Sequence, residues 1–117
     1  MSGLGEVVQR LGARDGVRGV LLLSGDGLPI EHAAGGTFEP ETVAALAATL
    51  AQYAGRLGTG ASLGELSTAV LEFEGGLLLV ARVGTGDWLA ILAASQADIG
   101  PLLFDLRQHR PALAALL

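Results

Sequence analysis

The most informative part of the chain is the stretch PETVAALAATLAQYAGRL, residues 40–57, because as a helix it has two separate apolar faces. At about 100° per residue, one wide stripe holds the larger side chains: Val43, Leu46, Ala47, Leu50, Tyr53, Ala54 and Leu57. A second stripe holds only small residues: Ala44, Ala48, Ala51 and Gly55. A surface helix needs one apolar stripe to face its own core. We therefore expect the larger stripe to cover the core and the small-residue stripe to meet a second copy of the chain.

The composition also favours association over the alternative of a compact monomer rich in Gly and Ala. Half of the 117 residues are hydrophobic and only 16% are charged, against about 25% in an average soluble domain. A monomer with so few charges would leave apolar surface in water. The length predicts a single domain over residues 1–117, with residues 111–117, from Pro111 onward, as a C-terminal extension or a frayed end.

Charge and residue types exclude several classes of partner. The net charge is −5 and all seven basic residues are scattered arginines, so a nucleic-acid partner is not expected. The absence of cysteine rules out disulfides and thiolate metal sites. The apolar runs are too short for a membrane span, and the first ten residues lack the basic region of a signal peptide. We expect a cytoplasmic protein, and the lack of lysine suggests a bacterial genome of high GC content.

The pattern of short apolar runs and turns predicts five strands and three helices. A first helix, with Leu4, Val7, Val8 and Leu11 on one face, precedes strands at 17–24 and 28–32 around Gly25-Asp26-Gly27. Pro29 makes the second strand an edge. After residues 40–57, three hairpin-linked strands are predicted at 65–73, 77–83 and 88–93, and a last helix begins near Asp98. Pro111 should kink or end that helix. The central strands are apolar on both faces, which predicts an antiparallel sheet between two helical layers.

The sequence predicts no enzyme, no cofactor and no metal site. His32 and His109 are too few and too far apart for a metal ion, which needs three or four converging ligands. Ser24 lacks the context of a nucleophile elbow. With no lysine in the chain, a phosphate-binding P-loop is excluded.

The order of elements resembles the Roadblock family over nearly the whole chain. The resemblance is carried by RGVLLLSGDGLPIEH (18–32), ETVAALAATLAQYAGRLG (41–58), TAVLEFEGGLLLVARVGTGDWLAILA (68–93) and DIGPLLFDLRQ (98–108). It implies a profilin-like α/β fold whose five-stranded antiparallel sheet has the order β2-β1-β5-β4-β3. The second helix would cover one face, and the first and third helices the other.

The resemblance also implies dimers in which the third strands and second helices of two subunits meet. The residues agree with this, because the predicted third strand has neither Pro nor Lys to protect its edge from pairing. The predicted dimer interface consists of Ala44, Ala48, Ala51, Gly55, Leu66, Thr68 and Val70.

Roadblock proteins act as platforms, and bacterial members resemble regulators of small Ras-like GTPases that supply no arginine finger. The resemblance therefore implies a non-enzymatic homodimeric scaffold that binds a small Ras-like GTPase, with stimulation of GTP hydrolysis left open. Nothing in the sequence identifies an arginine finger; Arg56 and Arg82 are exposed candidates for one, with solvated surface arginines as the alternative. Two alternatives stay open, a light chain of a motor complex and a small-ligand sensor or profilin/longin-like module. The sensor would need a pocket in the concave sheet.

Overall fold

The structure is a computed structural model that describes residues 3–33 and 38–117. Three helices and five strands follow one another along the chain in the order that the sequence predicts. The elements are α1 (Leu4–Gly12), β1 (Val17–Leu23), β2 (Pro29–Ala33), α2 (Pro40–Gly60), β3 (Thr68–Phe73), β4 (Gly76–Val83), β5 (Asp87–Ala93) and α3 (Ile99–Leu116).

The five strands form one antiparallel sheet with the order β2-β1-β5-β4-β3, so the predicted fold class is confirmed. Pro29 lies at the start of β2, which is one edge of the sheet. Its ring nitrogen cannot donate a hydrogen bond, and an edge strand tolerates this because only one of its sides is paired. The opposite edge is β3, which contains no proline.

Each face of the sheet carries its own core, which explains why the central strands carry apolar residues on both faces. In β1, Leu22 points to the core shared with α1 and α3, whereas Leu21 and Leu23 point to the core shared with α2. The same alternation holds in β4, where Leu79 and Val80 point to opposite cores. A sheet with both faces covered needs no polar alternation.

The face assignment predicted for α2 is wrong for its small residues, which face the sheet; of the larger stripe, Ala47 is buried in the same core and Val43 and Leu50 pack against it. Ala44, Ala48 and Ala51 are buried against Leu21, Leu23, Val80 and Trp88, and Ala44 is fully inaccessible to solvent. The larger side chains of Leu46, Tyr53 and Leu57, predicted to cover the core, are 65%, 62% and 73% exposed.

The physical reason for the reversal is that large side chains of the sheet leave room only for small ones on the helix. Close packing requires a bulky surface to meet a small one. The approach is close enough that a Cβ added to Gly27, where φ is +85°, would lie 3.2 Å from the Cα of Ala45. The small-residue stripe of α2 therefore lets the helix lie directly on its own β1–β2 turn.

Helix α3 begins where the sequence predicts and continues past Pro111. The Asp98 carboxylate accepts a hydrogen bond from the backbone N–H of Gly100 (3.3 Å), which caps the helix. Pro111 lies inside the helix, and Leu113 beyond it is fully buried in the α1/α3 core. Residues 111–116 are therefore part of the packed helix and not a frayed end. In the described part of the chain, none of the helices combines the length and hydrophobicity that crossing a lipid bilayer demands.

Candidate interaction surface

The first part of the candidate surface is a row of apolar side chains along α2, at Leu46, Leu50, Tyr53 and Leu57. We call this row the α2 stripe. Leu50 is half-buried, and the other three are exposed. The spacing of three and four residues places all four on one side of the helix, roughly 140° around the axis from the buried alanines. The helix thus has one face for its own sheet and a second, larger apolar face that its own chain leaves uncovered.

The second part is a strip of sheet beside α2 that the helix covers only in part. The helix packs mainly on β1, β2 and β5. On β3 and β4 the same face of the sheet presents Ala69, Leu71, Phe73 and Leu78, of which Phe73 is exposed and the others are half-buried. We call these four residues the open face. It lies beside α2 and is as apolar as the α2 stripe.

The third part is the free edge of β3, whose outward hydrogen-bonding groups belong to Thr68, Val70 and Glu72. The backbone N–H of Arg82 donates to the carbonyl of Ser67 (2.9 Å). The register with β4 runs without a shift from Thr68 opposite Ala81 to Phe73 opposite Gly76. Because hydrogen-bonding direction alternates along an antiparallel strand, odd-numbered residues bond to β4 and even-numbered ones point outward. The edge is a template for a further strand.

Two arginines fix the start of this edge strand. Arg82 stacks its guanidinium over the ring of Trp88, 4.7 Å from the centroid, and its Nε donates to the carbonyl of Leu66 (3.1 Å). Arg110 of α3 donates to the hydroxyl of Ser67 (3.1 Å) and to that of Thr68. These contacts hold residues 66–68 on both faces of the sheet, so the free edge of β3 is a defined surface.

The remaining predicted interface residues lie where a partner could reach them. Val70 is 44% exposed on the edge of β3, and Thr68 is half-buried beside it. Gly55 and Leu66 line one cleft at the end of α2, and a Cβ added to Gly55 would have no atom within 4 Å. Of the predicted interface residues, Ala44, Ala48 and Ala51 are buried against the sheet and do not contribute to this surface.

In the described part of the chain, the centre of neither sheet face holds the pocket that the small-ligand alternative would require. Both faces are occupied by packed cores. An apolar cleft of about 290 Å³ lies at the margin, where Phe38 and Val43 approach Phe73. His32 is on β2 and His109 on α3. Among residues 3–33 and 38–117, no three His, Asp or Glu side chains converge as metal ligands would.

Sequence reasoning assigned Leu46, Tyr53 and Leu57 to the core and did not single out Arg110. The composition of the predicted strands could have shown that Leu46, Tyr53 and Leu57 do not face the core. Strands made of Leu, Val and Trp on their α2 side can accept only a small-residue helix face. Nothing in the sequence linked Arg110 to β3, because the two are separated by more than forty residues and meet only through the packing of α3.

Comparison with known proteins places this fold among Roadblock structures. Residues 3–93 match the model of the Roadblock/LC7 domain. A Roadblock/LC7 domain from Streptomyces avermitilis is 29% identical, with a TM-score of 0.83 over 96% of this chain and 98% of that one. MglB from Myxococcus xanthus is 18% identical, with a TM-score of 0.89 over 96% and 92%. The gliding protein MglB from Thermus thermophilus is 21% identical, with a TM-score of 0.85 over 99% and 93%.

No curated protein sequence matches the chain. The family model spans well over half of the residues, and the sheet order and helical layers are those that the Roadblock resemblance implies. This chain belongs to the Roadblock/LC7 family.

Proposed function

We propose that this chain is a homodimeric regulatory scaffold that binds a small Ras-like GTPase and contributes no catalytic residue of its own. The dimer is supported by three surfaces that lie next to one another without a partner: the α2 stripe, the open face and the edge of β3. They adjoin one another on one side of the molecule. Two copies related by a two-fold axis would cover all three at once, because a two-fold interface uses the same patch on both subunits.

We expect this surface to be large enough for a stable dimer. A specific interface buries at least about 1,000 Å² in total, and each large apolar side chain removed from water contributes roughly 1.5–3 kcal/mol. Leu46, Tyr53, Leu57 and Phe73 are each more than half exposed in the single chain. The α2 stripe of one copy can lie over the open face of the other, which its own α2 covers only in part.

The GTPase partner is supported by membership of the Roadblock/LC7 family and by the resemblance to bacterial GTPase regulators. The likeness in fold to MglB, a gliding protein in Thermus thermophilus, agrees with it. Regulation by a scaffold requires a rigid surface and no nucleophile or metal. Arg56, which lies 5.3 Å from the ring centroid of Tyr53, and Arg82 are engaged with aromatic rings of their own chain. We therefore assign neither of them the role of an arginine finger.

The dimer is tested by replacing Leu46 with Glu and measuring mass by light scattering during size-exclusion chromatography. We expect the wild type to be a dimer at micromolar concentration and Leu46→Glu to be a folded monomer, because a buried unpaired carboxylate is costly. Leu28→Glu is the matched control, since Leu28 is 63% exposed at the other end of the sheet. It should remain dimeric. A monomeric wild type would refute the dimer.

The partner is tested by binding to small Ras-like GTPases of the source organism, loaded with GDP or with a non-hydrolysable GTP analogue. We expect the dimer to bind one of them with a preference for one nucleotide state, because a regulator must distinguish the two states. Leu46→Glu should bind more weakly if both copies contribute to the contact. Absence of binding in either state, with a dimeric wild type, would overturn the GTPase assignment and leave the dimer intact.

A further inference from the structure

We propose that the two copies pair through β3 with the two-fold axis at Val70, and that Arg110 of each copy forms an ion pair with Glu72 of the other. This inference rests on the proposed dimer and adds its register and the charged contact that fixes it. Three features carry it: the outward groups of β3, the parity of side chains on a strand and the surroundings of Arg110.

The axis must pass through a residue of β3 and not between two residues. Residues directly opposed in an antiparallel pair have their side chains on the same face of the sheet. A two-fold axis perpendicular to the sheet keeps each residue on its own face. A residue of β3 can therefore oppose only residues of the same parity in the second copy, and one residue opposes itself on the axis.

Three axis positions near the middle of β3 differ in how many outward backbone groups they pair. With the axis at Val70, Val70 opposes itself and Thr68 opposes Glu72, so every outward-facing residue of the strand finds an outward-facing partner. An axis at Leu71 would leave Thr68 opposite Glu74, which lies beyond the end of the strand. An axis at Ala69 would place Glu72 opposite Leu66, before the strand begins. Hydrogen bonding therefore favours Val70.

Side-chain chemistry on the α1/α3 face favours the same register. Thr68, Val70 and Glu72 share this face, because their β4 partners Ala81, Leu79 and Leu77 belong to the α1/α3 core. An axis at Val70 brings two valines together. An axis at Leu71 would instead place each valine against the carboxylate of Glu72.

Arg110 lies beside Thr68, at the end of β3 that would pair with Glu72 of the second copy. Its guanidinium bonds to Ser67 and Thr68, while its Nε is buried without a hydrogen-bond partner. Within the described ranges, the ion pairs are Arg10 with Glu6 and Arg14 with Asp105, and neither contains Arg110 or Glu72. Burial lowers the pKa of Arg110, and the nearby charge of Arg107 lowers it further. Among the residues that the structure describes, the cation thus lacks a carboxylate of its own chain.

The second copy supplies that carboxylate in the Val70 register. Glu72 of the second copy would lie directly opposite Thr68, with Cβ atoms roughly 5 Å apart, on the face where Arg110 bonds to the Thr68 hydroxyl. The symmetry produces the contact twice, once on each side of the axis. Charge complementarity of this kind sets register, because a shifted strand would separate the charges.

The ion pair is tested by exchanging its charges and measuring the dimer dissociation constant by analytical ultracentrifugation. We expect Arg110→Glu and Glu72→Arg each to weaken the dimer by about tenfold or more, and the double variant to recover most of that loss. Arg107→Glu is the matched control, because Arg107 is an exposed arginine on the same helix. It should change the dissociation constant much less. Tm measurements with each substitution made in the monomeric Leu46→Glu background separate weaker pairing from a weaker fold.

The register is tested with single cysteines, which are unique reporters because the chain has none of its own. On oxidation, Val70→Cys should form a disulfide-linked dimer, since residues on the axis have Cα atoms about 5.5 Å apart. Leu71→Cys and Ala69→Cys should cross-link far less. A dimeric wild type in which Leu71→Cys cross-links preferentially, or in which the charge exchange shows no recovery, would overturn this inference and leave the proposed dimer standing. A monomeric wild type would overturn both.

Discussion

The surroundings of His109 combine a contact within its own helix with charges from α1 and from the residues that follow it. On α3, its Nδ1 lies 2.7 Å from the backbone carbonyl of Asp105, and the carboxylate of Asp105 pairs with Arg14. Burial lowers the pKa of His109, and the positive charges of Arg10 and Arg14 lower it further. The folded chain therefore favours the neutral imidazole, whereas a histidine in the unfolded chain has a pKa near ~6.5.

This difference predicts a loss of stability in mild acid. Above about pH 6.5 the imidazole is neutral in both states, and its contribution to stability is fully present. Below that pH the unfolded chain takes up the proton first, so the free energy of unfolding falls. Urea unfolding at pH 7.5 and pH 5.5 should show this loss in the wild type and a smaller loss in His109→Gln. The effect should be modest because the ring is partly solvated. Equal losses in both proteins would contradict the assignment to His109.

At the scale of elements, α2 shows how one helix can serve two surfaces. Its alanines lie on the sheet, where Leu21, Val80 and Trp88 fill the space, and its larger side chains remain outside. The helix runs to Gly60, and the chain then turns back so closely that a Cβ added to Gly58 would lie 2.5 Å from the carbonyl oxygen of Gly64.

The buried role of the alanines predicts that Ala44→Leu destabilises the single chain. The added atoms have no free space beneath the helix, and overpacking of a core typically costs about 1–3 kcal/mol. Thermal or urea unfolding of the Leu46→Glu background would measure this without interference from dimerisation. Ala115→Leu, at an exposed position of α3, is the control and should change stability little. If Ala44→Leu left the free energy of unfolding of that background unchanged, the burial of the alanine face of α2 against the sheet would be wrong.

At the scale of the whole molecule, the apolar side chains left outside the two cores account for the low charge of the chain. The described exposed apolar residues of the α2 stripe and the open face lie on one side of the sheet. The β2 edge, by contrast, begins with Pro29. The molecule thus has one edge suited to pairing and one that is poorly suited to it, which favours a closed pair of subunits over an open fibre.

Dimerisation should couple stability to concentration. Because the partner binds only the folded chain, the Tm of the wild type should rise as the protein concentration is raised from 1 to about 100 µM. The Tm of Leu46→Glu should stay constant over the same range. A wild-type Tm that does not vary with concentration would speak against an interface that dissociates on unfolding. Differential scanning fluorimetry over a dilution series is sufficient for this measurement.

The sequence alone determined the elements, the sheet order through its family resemblance, and the identity of the unprotected edge. These depend on local signals, namely apolar runs, Gly-rich turns, the cap at Asp98 and the proline of β2. Each of these signals involves only a few neighbouring residues, so it can be recognised from the sequence alone.

The buried face of α2 and the position of Arg110 beside the edge of β3 depend on tertiary packing. A helical wheel shows two apolar stripes but not the surface that each will meet. The sheet selects the small one because its own side chains are large. Arg110 reaches Thr68 because α3 packs on the sheet, with Leu106 and Leu113 buried in the core on either side of it. Contacts between residues distant in sequence depend on the packing of whole elements, and this packing places the α2 stripe, the open face and the edge of β3 side by side.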